Sequence, residues 1–383
     1  MLQQPVYIHS LSSISALGST KKEVWQNYLH QNTVFSTLNA NEKNYLVSKL
    51  SIEDNAYLSK IALESKYKHV DKTVLLGLSV ARKAISHIEI EIPDFGVNFS
   101  SSRGATSLFE QYFEEFYTTK KVTTYTSPAT TLGNISSWIA HDLQTLGPEL
   151  SHSITCSSGL HSILNAIAWL QAGLVHSFLV GASEAPLTPF TLAQLEALKV
   201  YTQDNDDLPC RALDFEKKKN SMVLGEGAVA MLLSLTDATT TYLAKIVGMG
   251  YATEVLSSAT SLSSDAVCFQ KSMKMAIGDL PVESIDAIIM HAPGTILGDA
   301  SEREAIVKLF GQHQPLLTSN KWKIGHTFAV SGLLSIELAI LMLEKQQFIS
   351  SPFYPQQLKK PLKRILVNAV GFGGNAVSIL IEK

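Results

Sequence analysis

The stretch Ser151-His-Ser-Ile-Thr-Cys156-Ser-Ser-Gly-Leu160 joins a short β-type run to the beginning of a long apolar helix. It predicts a strand at Ser153–Cys156 and a helix at Gly159–Ala172, with Cys156 at the turn between them. Unpaired N–H groups at a helix N-terminus favour anions, so we expect a lowered thiol pKa and a nucleophilic Cys156. A buried structural cysteine is the alternative, because most lone cysteines are of that kind.

The same alternation of strands and helices recurs along the chain, which is typical of an α/β fold with a largely parallel sheet. Further strands are predicted at Val6–Leu11, Ser177–Val180, Val229–Leu235, Ala287–Met290, Ile365–Ala369 and Val377–Ile381. Further helices are predicted at Lys21–Leu29, Lys72–Ile85, Ser301–Leu309 and Gly332–Lys345. Residues 37–70 are polar and rich in Lys, Asn and Ser, so we predict a surface connection or a capping insert there.

Two predicted helix starts have similar sequences, namely Ser158-Gly-Leu-His-Ser-Ile-Leu-Asn-Ala166 and Ser331-Gly-Leu-Leu-Ser-Ile-Glu-Leu-Ala339. The similarity is equally compatible with an internal duplication and with chance, since small residues and core-spaced Leu and Ile are common at helix starts. A duplication predicts two halves that meet near residue 240. Each half then contributes a loop and a helix N-terminus to a shared centre.

Bulk composition limits the possible partners and the location of the protein. The 383 residues carry 31 basic and 34 acidic side chains, so the net charge of -3 favours neither nucleic acid nor an anionic membrane. No apolar run reaches the roughly 18 residues that span a bilayer, and the N-terminal stretch has no basic leader, so we expect a cytoplasmic protein. Cys156, Cys210 and Cys268 are too widely spaced for a disulfide framework or a metal clip, and we expect no metal.

Two histidines lie in loops that follow or precede apolar segments. The segment 286–290, which is mostly apolar, leads directly into His291, and a loop containing Pro293 and Gly294 follows. His326 follows Gly325 and precedes the helix predicted at Gly332–Lys345. Loops at strand ends are where α/β folds carry their chemistry, although each histidine taken singly is also compatible with a structural role.

Together these segments resemble the β-ketoacyl-acyl carrier protein synthases, which are elongating condensing enzymes with a Cys-His-His triad. That family has the patterns Cys-x-x-Gly, His-Gly-Thr-x-Thr-x-x-Gly-Asp and Lys-x-x-x-Gly-His, which Cys156–Gly159, His291–Asp299 and Lys321–His326 match here. Further similar segments are Ile14–Gly18 with Trp25, Gly181–Ala185, Cys210–Asp214, Val223–Ala228 and Gly371–Ala376. The resemblance covers nearly the whole chain and implies a thiolase-type fold, with two similar βαβαβ-derived halves in an αβαβα arrangement. Residues 1–240 would carry the nucleophile, and residues 241–383 both catalytic histidines.

The resemblance also implies an acyltransferase, a 3-oxoacyl-[acyl carrier protein] synthase. Cys156 would hold an acyl group as a thioester, while His291 and His326 stabilise the enolate formed when a malonyl group loses carbon dioxide. Attack on the thioester would extend a fatty-acid, polyketide or polyene chain by two carbons. Lys321 would orient the histidines, and a solvated surface lysine is the alternative.

The remaining roles follow from the same resemblance. The backbone N–H groups of Cys156 and Phe372 would form the oxyanion hole, and Phe372 would gate the acyl pocket. Substrate contacts would come from Met222, Thr295, Gly371 and Gly373. The only prosthetic group would be the 4′-phosphopantetheine that arrives on the acyl carrier protein. A second copy or a sister ketosynthase-like subunit would complete a dimer, and the basic runs Lys217–Lys219 and Lys359–Arg364 are docking candidates or simply solvated faces.

Several positions depart from the family pattern. Pro293 replaces a threonine that binds pantetheine, Met222 replaces a phenylalanine, and Ser335 replaces a glutamate, with Glu337 nearby but out of register. The loop from Gly371 also lacks the usual threonine before its asparagine. These changes indicate a divergent branch, for which polyene or aryl-polyene pigment assembly is our hypothesis.

Two other functions remain open from the sequence. A chain-length factor is a non-catalytic partner subunit that typically lacks the active cysteine, whereas Cys156 is present here. A thiolase-like acyltransferase using coenzyme A thioesters needs a second cysteine as base, and Cys268 is poorly placed for that role.

Overall fold

The computed structural model describes residues 2–86, 88, 95–204, 206–235, 242–255 and 263–383. Its strands are β1 (Val6–Ser15), β2 (Ser36–Ala40), β3 (Lys43–Ser48), β4 (Phe95–Ser100), β5 (Glu149–Leu150), β6 (Ser177–Glu184), β7 (Leu224–Gly225), β8 (Gly227–Ser234), β9 (Ala244–Thr253), β10 (Ala287–Ile289), β11 (Leu316–Thr318), β12 (Arg364–Gly371) and β13 (Asn375–Glu382). Its α-helices are α1 (Lys21–Leu29), α2 (Ile52–Ala62), α3 (Lys72–Ile85), α4 (Thr106–Thr119), α5 (Thr126–Thr130), α6 (Asn134–Leu143), α7 (Ser158–Gln171), α8 (Pro189–Ala197), α9 (Val267–Ile277), α10 (Ile296–Phe310), α11 (Lys321–Ile324) and α12 (Ser331–Lys345). This element order is that of an α/β protein, as predicted.

Most of the described strands form one mixed sheet, in the order β11-β10-β12-β13-β9-β1-β8-β6-β4-β5. Strands β1 and β9 meet antiparallel at its centre, where Tyr7 pairs with Lys245. Outward from this contact, the first-half strands follow the order β1, β8, β6, β4, β5, and the second-half strands repeat it as β9, β13, β12, β10, β11. The two sides of the sheet therefore have the same topology, as the predicted fold of two similar halves requires. The predicted boundary between residues 240 and 241 lies outside the described residues.

Buried side chains divide the fold into layers, because successive strand residues point to opposite faces of a sheet. In β6, Leu179 packs with α3 and α6, while Val180 packs with α7 and α12. In β12, Leu366 packs with α9 and α10, while Val367 faces α7 and α12. Helices α7 and α12 therefore lie between the two halves of the sheet, which gives the predicted αβαβα order.

Helices α7 and α12 approach each other closely at two glycines. A Cβ on Gly332 would lie 2.6 Å from Leu160 Cγ, and a Cβ on Gly159 would overlap the carbonyl oxygen of Ala329. Any larger side chain at either position would push the packed helices apart. The contact brings the N-termini of both helices to one place, which is the shared centre that the two similar segments predict.

Residues 37–70, predicted as a surface connection or capping insert, contain a second, small sheet. Strand β3 pairs antiparallel with β2 and parallel with β7. Tyr45 and Val47 on β3 are buried in the same cluster as Cys156 and Met222, although much of the surrounding segment is polar. The small sheet therefore forms a wall near the predicted nucleophile.

Apart from the strand predicted at Ser153–Cys156, the other predicted elements are present with modest changes in their bounds. The clearest change is in α10, which begins at Ile296 rather than at the predicted Ser301. Thr295 caps this helix, because its side-chain oxygen accepts a hydrogen bond of 3.2 Å from Gly298 N. None of the helices in the described ranges is long and apolar enough to cross a bilayer.

Candidate active site

Cys156 lies in a tight turn directly before α7. Ser158 Oγ accepts a hydrogen bond of 2.7 Å from the Ile154 N–H, and Ser157 Oγ donates one of 2.9 Å to the Ile154 carbonyl. The strand predicted at Ser153–Cys156 is therefore wrong, because serine side chains bind the backbone groups that a neighbouring strand would otherwise pair.

The Cys156 thiol is only 7% exposed. Burial raises the pKa of Cys156 to about 12, the charge of Glu184 acts in the same direction, and Lys321 opposes it. The expectation of a lowered thiol pKa is therefore wrong, because burial removes the water that would stabilise a thiolate. The resting thiol is protonated at neutral pH.

His291 and His326 form an edge-to-face pair, with ring centroids 5.2 Å apart and ring planes at 84°. Both are buried, and burial lowers the pKa of each ring well below its usual value. The positive charge of Lys321 acts in the same direction. Both rings are therefore neutral at pH 7, and each has one N–H to donate.

Ser331 fixes the His326 ring from the first residue of α12. Its Oγ lies 2.8 Å from His326 Nδ1 and also accepts a hydrogen bond of 3.0 Å from Thr327 N. This contact engages Nδ1 and leaves Nε2 as the ring nitrogen available to a substrate. No sequence motif distinguishes Ser331, since a serine at a helix start is most often only a cap.

Glu302 holds the backbone at His291. Its two carboxylate oxygens accept hydrogen bonds of 3.0 Å from His291 N and 2.9 Å from Ala292 N, and Asn368 Nδ2 donates another of 3.1 Å. Burial raises the pKa of Glu302 to about 7. Nothing in the sequence marks Glu302 as part of the site, because a glutamate inside a helix normally faces solvent.

Lys321 is 1% exposed, so the alternative of a solvated surface lysine is wrong. Burial lowers the pKa of Lys321 to about 8, while the carboxylate of Glu302 acts in the opposite direction. The side chain does not line the cleft beside Cys156. It is therefore a buried, titratable cation close enough to both histidines to lower their pKa values.

A cleft of about 250 Å³ opens beside Cys156. The predicted site residues that line it are Cys156, Met222, His291, Thr295, His326, Gly371 and Phe372, together with Pro293. The apolar side chains Leu195, Leu198, Val200, Phe269 and Phe328 supply much of the remaining wall. Seven of the predicted residues thus meet at one cleft, and Gly373 and Lys321 do not line it.

The loop between β12 and β13 packs against the turn that carries Cys156. A Cβ on Gly371 would overlap Thr155 Oγ1, so only glycine allows this approach. Thr155 itself has a φ of +48° and Gly373 one of +93°, which are left-handed conformations. Phe372, between the two glycines, is 46% exposed at the edge of the cleft.

A buried ion pair supports the loop after His291. Asp299 accepts a bond of 2.8 Å from Lys217 Nζ and another of 3.0 Å from Gly294 N. Because Lys217 is buried, the suggestion that Lys217–Lys219 forms a basic docking surface is wrong for its first residue. The alternative run, Lys359–Arg364, stays a prediction.

Family models and curated relatives agree on one family. The N-terminal domain model of β-ketoacyl synthases matches residues 3–238, and the C-terminal domain model matches residues 243–352. The "3-oxoacyl-[acyl-carrier-protein] synthase 2" of Coxiella burnetii is 23% identical over 412 residues, which cover 100% of this chain and 99% of the relative.

Solved structures agree on the fold. A β-ketoacyl synthase from Burkholderia phymatum superposes with a TM-score of 0.86 at 20% identity and covers 100% of both chains. A chain of the complex between the ketosynthase ApeO and its chain length factor ApeC, from Xenorhabdus doucetiae, gives a TM-score of 0.82 at 20% identity, covering 99% of this chain and 98% of that chain. These likenesses confirm the predicted thiolase-type fold. The chain therefore belongs to the β-ketoacyl synthase family of acyltransferases.

Proposed function

We propose that this protein condenses an acyl group held on Cys156 with malonyl-acyl carrier protein and so extends the chain by two carbons. The observation that carries the proposal is the meeting, in one apolar cleft, of a buried cysteine with two neutral histidines. A thiol forms a thioester that is reactive toward carbon nucleophiles, and two imidazole N–H groups polarise one carbonyl oxygen without adding fixed charge.

The first step is transfer of the acyl group to Cys156. The sulfur attacks the thioester carbonyl of the acyl carrier protein, and the carrier thiol leaves with the proton that the cysteine loses. The backbone N–H groups of Cys156 and Phe372 hold the oxyanion formed during this exchange. The approach of Gly371 to Thr155 supports this arrangement, since it keeps the Phe372 loop beside the nucleophile turn.

The second step is decarboxylation followed by carbon-carbon bond formation. The malonyl thioester oxygen accepts hydrogen bonds from His291 and His326 as the bond to the departing carboxylate breaks and carbon dioxide leaves. The resulting enolate carbon attacks the Cys156 thioester, and the cysteine sulfur departs. Lys321 acts close to the two rings, where its charge favours their neutral form and stabilises the developing enolate.

The alternatives fit the described site less well. A thiolase-like enzyme needs a second cysteine in the cleft, but among the described lining residues Cys156 is the only one. Cys268 instead lies on α9, where its N–H donates to Glu254 Oε2. A chain-length factor has no need for the neutral histidine pair beside the cysteine, so that reading is not favoured.

Substrate and partner assignments extend the proposal. Thr295 and Met222 contact the incoming thioesters, Phe372 gates the pocket, and the 4′-phosphopantetheine of the carrier protein is the only prosthetic group. The apolar cleft walls are consistent with an aliphatic or polyene chain, including an aryl-polyene. A cytoplasmic location is part of the proposal. So is a dimer, formed with a second copy or with a sister subunit, because the similar solved structures include ketosynthases together with chain length factors.

Reconstitution of the condensation tests this function. The purified protein is incubated with acyl-acyl carrier protein and malonyl-acyl carrier protein, and the carrier protein is followed by intact mass spectrometry. We expect 3-oxoacyl-carrier protein and release of carbon dioxide. Turnover with coenzyme A thioesters alone would point to a thiolase-like enzyme. Activity that appears only with an added synthase, and that survives Cys156→Ala, would point to a chain-length factor.

A further inference from the structure

A groove of about 680 Å³ adjoins the cleft that contains Cys156. Asn220 lines both of them, and from there the groove extends over β3 and the C-terminal end of α8. Leu198 and Leu297 line the cleft and are exposed, so the cleft opens to solvent on the side where the groove begins. A molecule that enters the cleft from this side therefore passes the groove.

Asn220 fixes the groove to the loop beside the cleft. Its Nδ2 donates a hydrogen bond of 2.9 Å to the Lys199 carbonyl oxygen, and its Oδ1 accepts one of 2.9 Å from the Ile296 N–H. Ile296 directly follows Thr295, which lines the cleft. The backbone of Lys199 is thus held one side chain away from the cleft wall.

The groove has an excess of positive charge. Three lysines line it, Lys43, Lys199 and Lys219, whereas Glu196 is the one acidic side chain among the described lining residues. Lys43 Nζ lies 3.2 Å from Glu196 Oε2, so these two charges are paired. Lys199 and Lys219 are exposed and have no ion-pair partner within the described ranges. The acidic residues of the neighbouring segment do not line the groove, namely Asp204, Asp206 and Asp207. Two ammonium groups beside the mouth of the cleft are therefore available to an anion.

We propose that Lys199 and Lys219 bind the phosphodiester that joins a 4′-phosphopantetheine arm to its carrier protein. This inference rests on the proposed function, in which the arm delivers a thioester past Thr295 to Cys156. The phosphodiester is the one charged group of the arm, and lysine binds phosphate as a point charge. A concave groove beside the mouth suits the arm better than the convex surface of a folded carrier protein. The carboxylates of that surface are the alternative that the experiment separates.

Three donors of the same acyl group test this assignment: acyl-pantetheine, which has no phosphate, acyl-4′-phosphopantetheine, and acyl-acyl carrier protein. Acylation of the full chain is followed by intact mass spectrometry. Lys199→Gln combined with Lys219→Gln should lower the second-order rate constant for both phosphate-containing donors roughly tenfold and leave that for acyl-pantetheine unchanged. The matched control is Lys271→Gln combined with Lys274→Gln, because these lysines of α9 are also exposed and have no ion-pair partner in the described part of the chain. The control should leave all three rates unchanged.

Direct binding gives a second readout that does not require acylation of Cys156. In calorimetry, the wild-type protein should bind 4′-phosphopantetheine more tightly than pantetheine, and the Lys199→Gln, Lys219→Gln protein should lose this preference. A wild-type protein that shows the preference but is acylated by no donor would refute the proposed function and support the groove.

Four results would overturn the assignment of the groove. They are unchanged rates in the Lys199→Gln, Lys219→Gln protein, an equal loss with acyl-pantetheine, an equal loss in the control protein, and a loss confined to acyl-acyl carrier protein. The last result would mean that the two lysines meet carboxylates of the carrier protein instead of its phosphodiester.

Discussion

The rings of His291 and His326 meet edge to face at a centroid distance of 5.2 Å, although they come from different loops of the second half of the chain. His291 follows β10, and His326 lies between α11 and α12. Their proximity, burial and neutrality make the pair a source of two hydrogen-bond donors for a single carbonyl oxygen.

Replacing either histidine of this pair should separate the two steps of the reaction. His291→Ala or His326→Ala is expected to accept an acyl group on Cys156 and to lose malonyl decarboxylation by roughly a hundredfold or more, because one enolate donor is gone. Acyl loading is measured by mass spectrometry and decarboxylation by release of labelled carbon dioxide. Undiminished carbon dioxide release from both variants would refute the shared role.

Ser331 is predicted to be a positioning residue for His326. Ser331→Ala removes the 2.8 Å contact with Nδ1 and should lower the decarboxylation rate about tenfold while acyl loading stays normal. Ser335→Ala is the matched control, since this equally buried serine donates to the Ser331 carbonyl one turn earlier and, among the described residues, has no hydrogen bond to His326. Equal losses in both variants would mean that Ser331 merely supports the helix.

Gly371 is predicted to set the approach of the Phe372 loop to Cys156. Gly371→Ala introduces a Cβ that overlaps Thr155 Oγ1, so acyl loading should fall roughly a hundredfold as the oxyanion donors move apart. Gly133→Ala serves as the control, because no heavy atom of the described residues beyond its immediate chain neighbours lies within 4 Å of the new Cβ. Normal acyl loading by a folded Gly371→Ala protein would show that this approach is not needed.

The buried thiol predicts a specific pH dependence of alkylation. Because burial raises the pKa of Cys156 to about 12, the thiolate fraction at neutral pH is small and grows with pH. Between pH 7 and pH 9, the rate of iodoacetamide modification at Cys156 should rise roughly tenfold per pH unit. Peptide mapping follows the site, and a rate that is already maximal at pH 7 would instead support the lowered pKa that the helix N-terminus suggested.

The sequence predicted the helices and the site residues best where hydrophobic periodicity was strong or where several motifs occurred in a fixed order. Helices α1 and α3 have the predicted bounds, since strong apolar periodicity and a capping residue define each one. The residues Cys156, His291 and His326 converge as predicted, because their motifs place them at the ends of elements that a parallel-sheet topology brings together.

Other features depend on side-chain contacts that neither the hydrophobic pattern nor the motifs reveal. The Ser153–Cys156 segment has strand-like composition, but Ser157 and Ser158 bind its backbone locally. The thiol pKa depends on burial by surrounding chain, including Met222 and Tyr45, which no motif reveals. Glu302 looks like an ordinary helix residue until the fold places its carboxylate on the His291 backbone.

Acyl loading of Cys156→Ala is the most direct test of the proposed condensation. Wild-type protein incubated with acyl-acyl carrier protein should gain the mass of one acyl group on the peptide that contains Cys156. The Cys156→Ala protein should remain folded by circular dichroism and gain no acyl mass. Acylation of that variant at the wild-type level would contradict the assignment of Cys156 as the nucleophile.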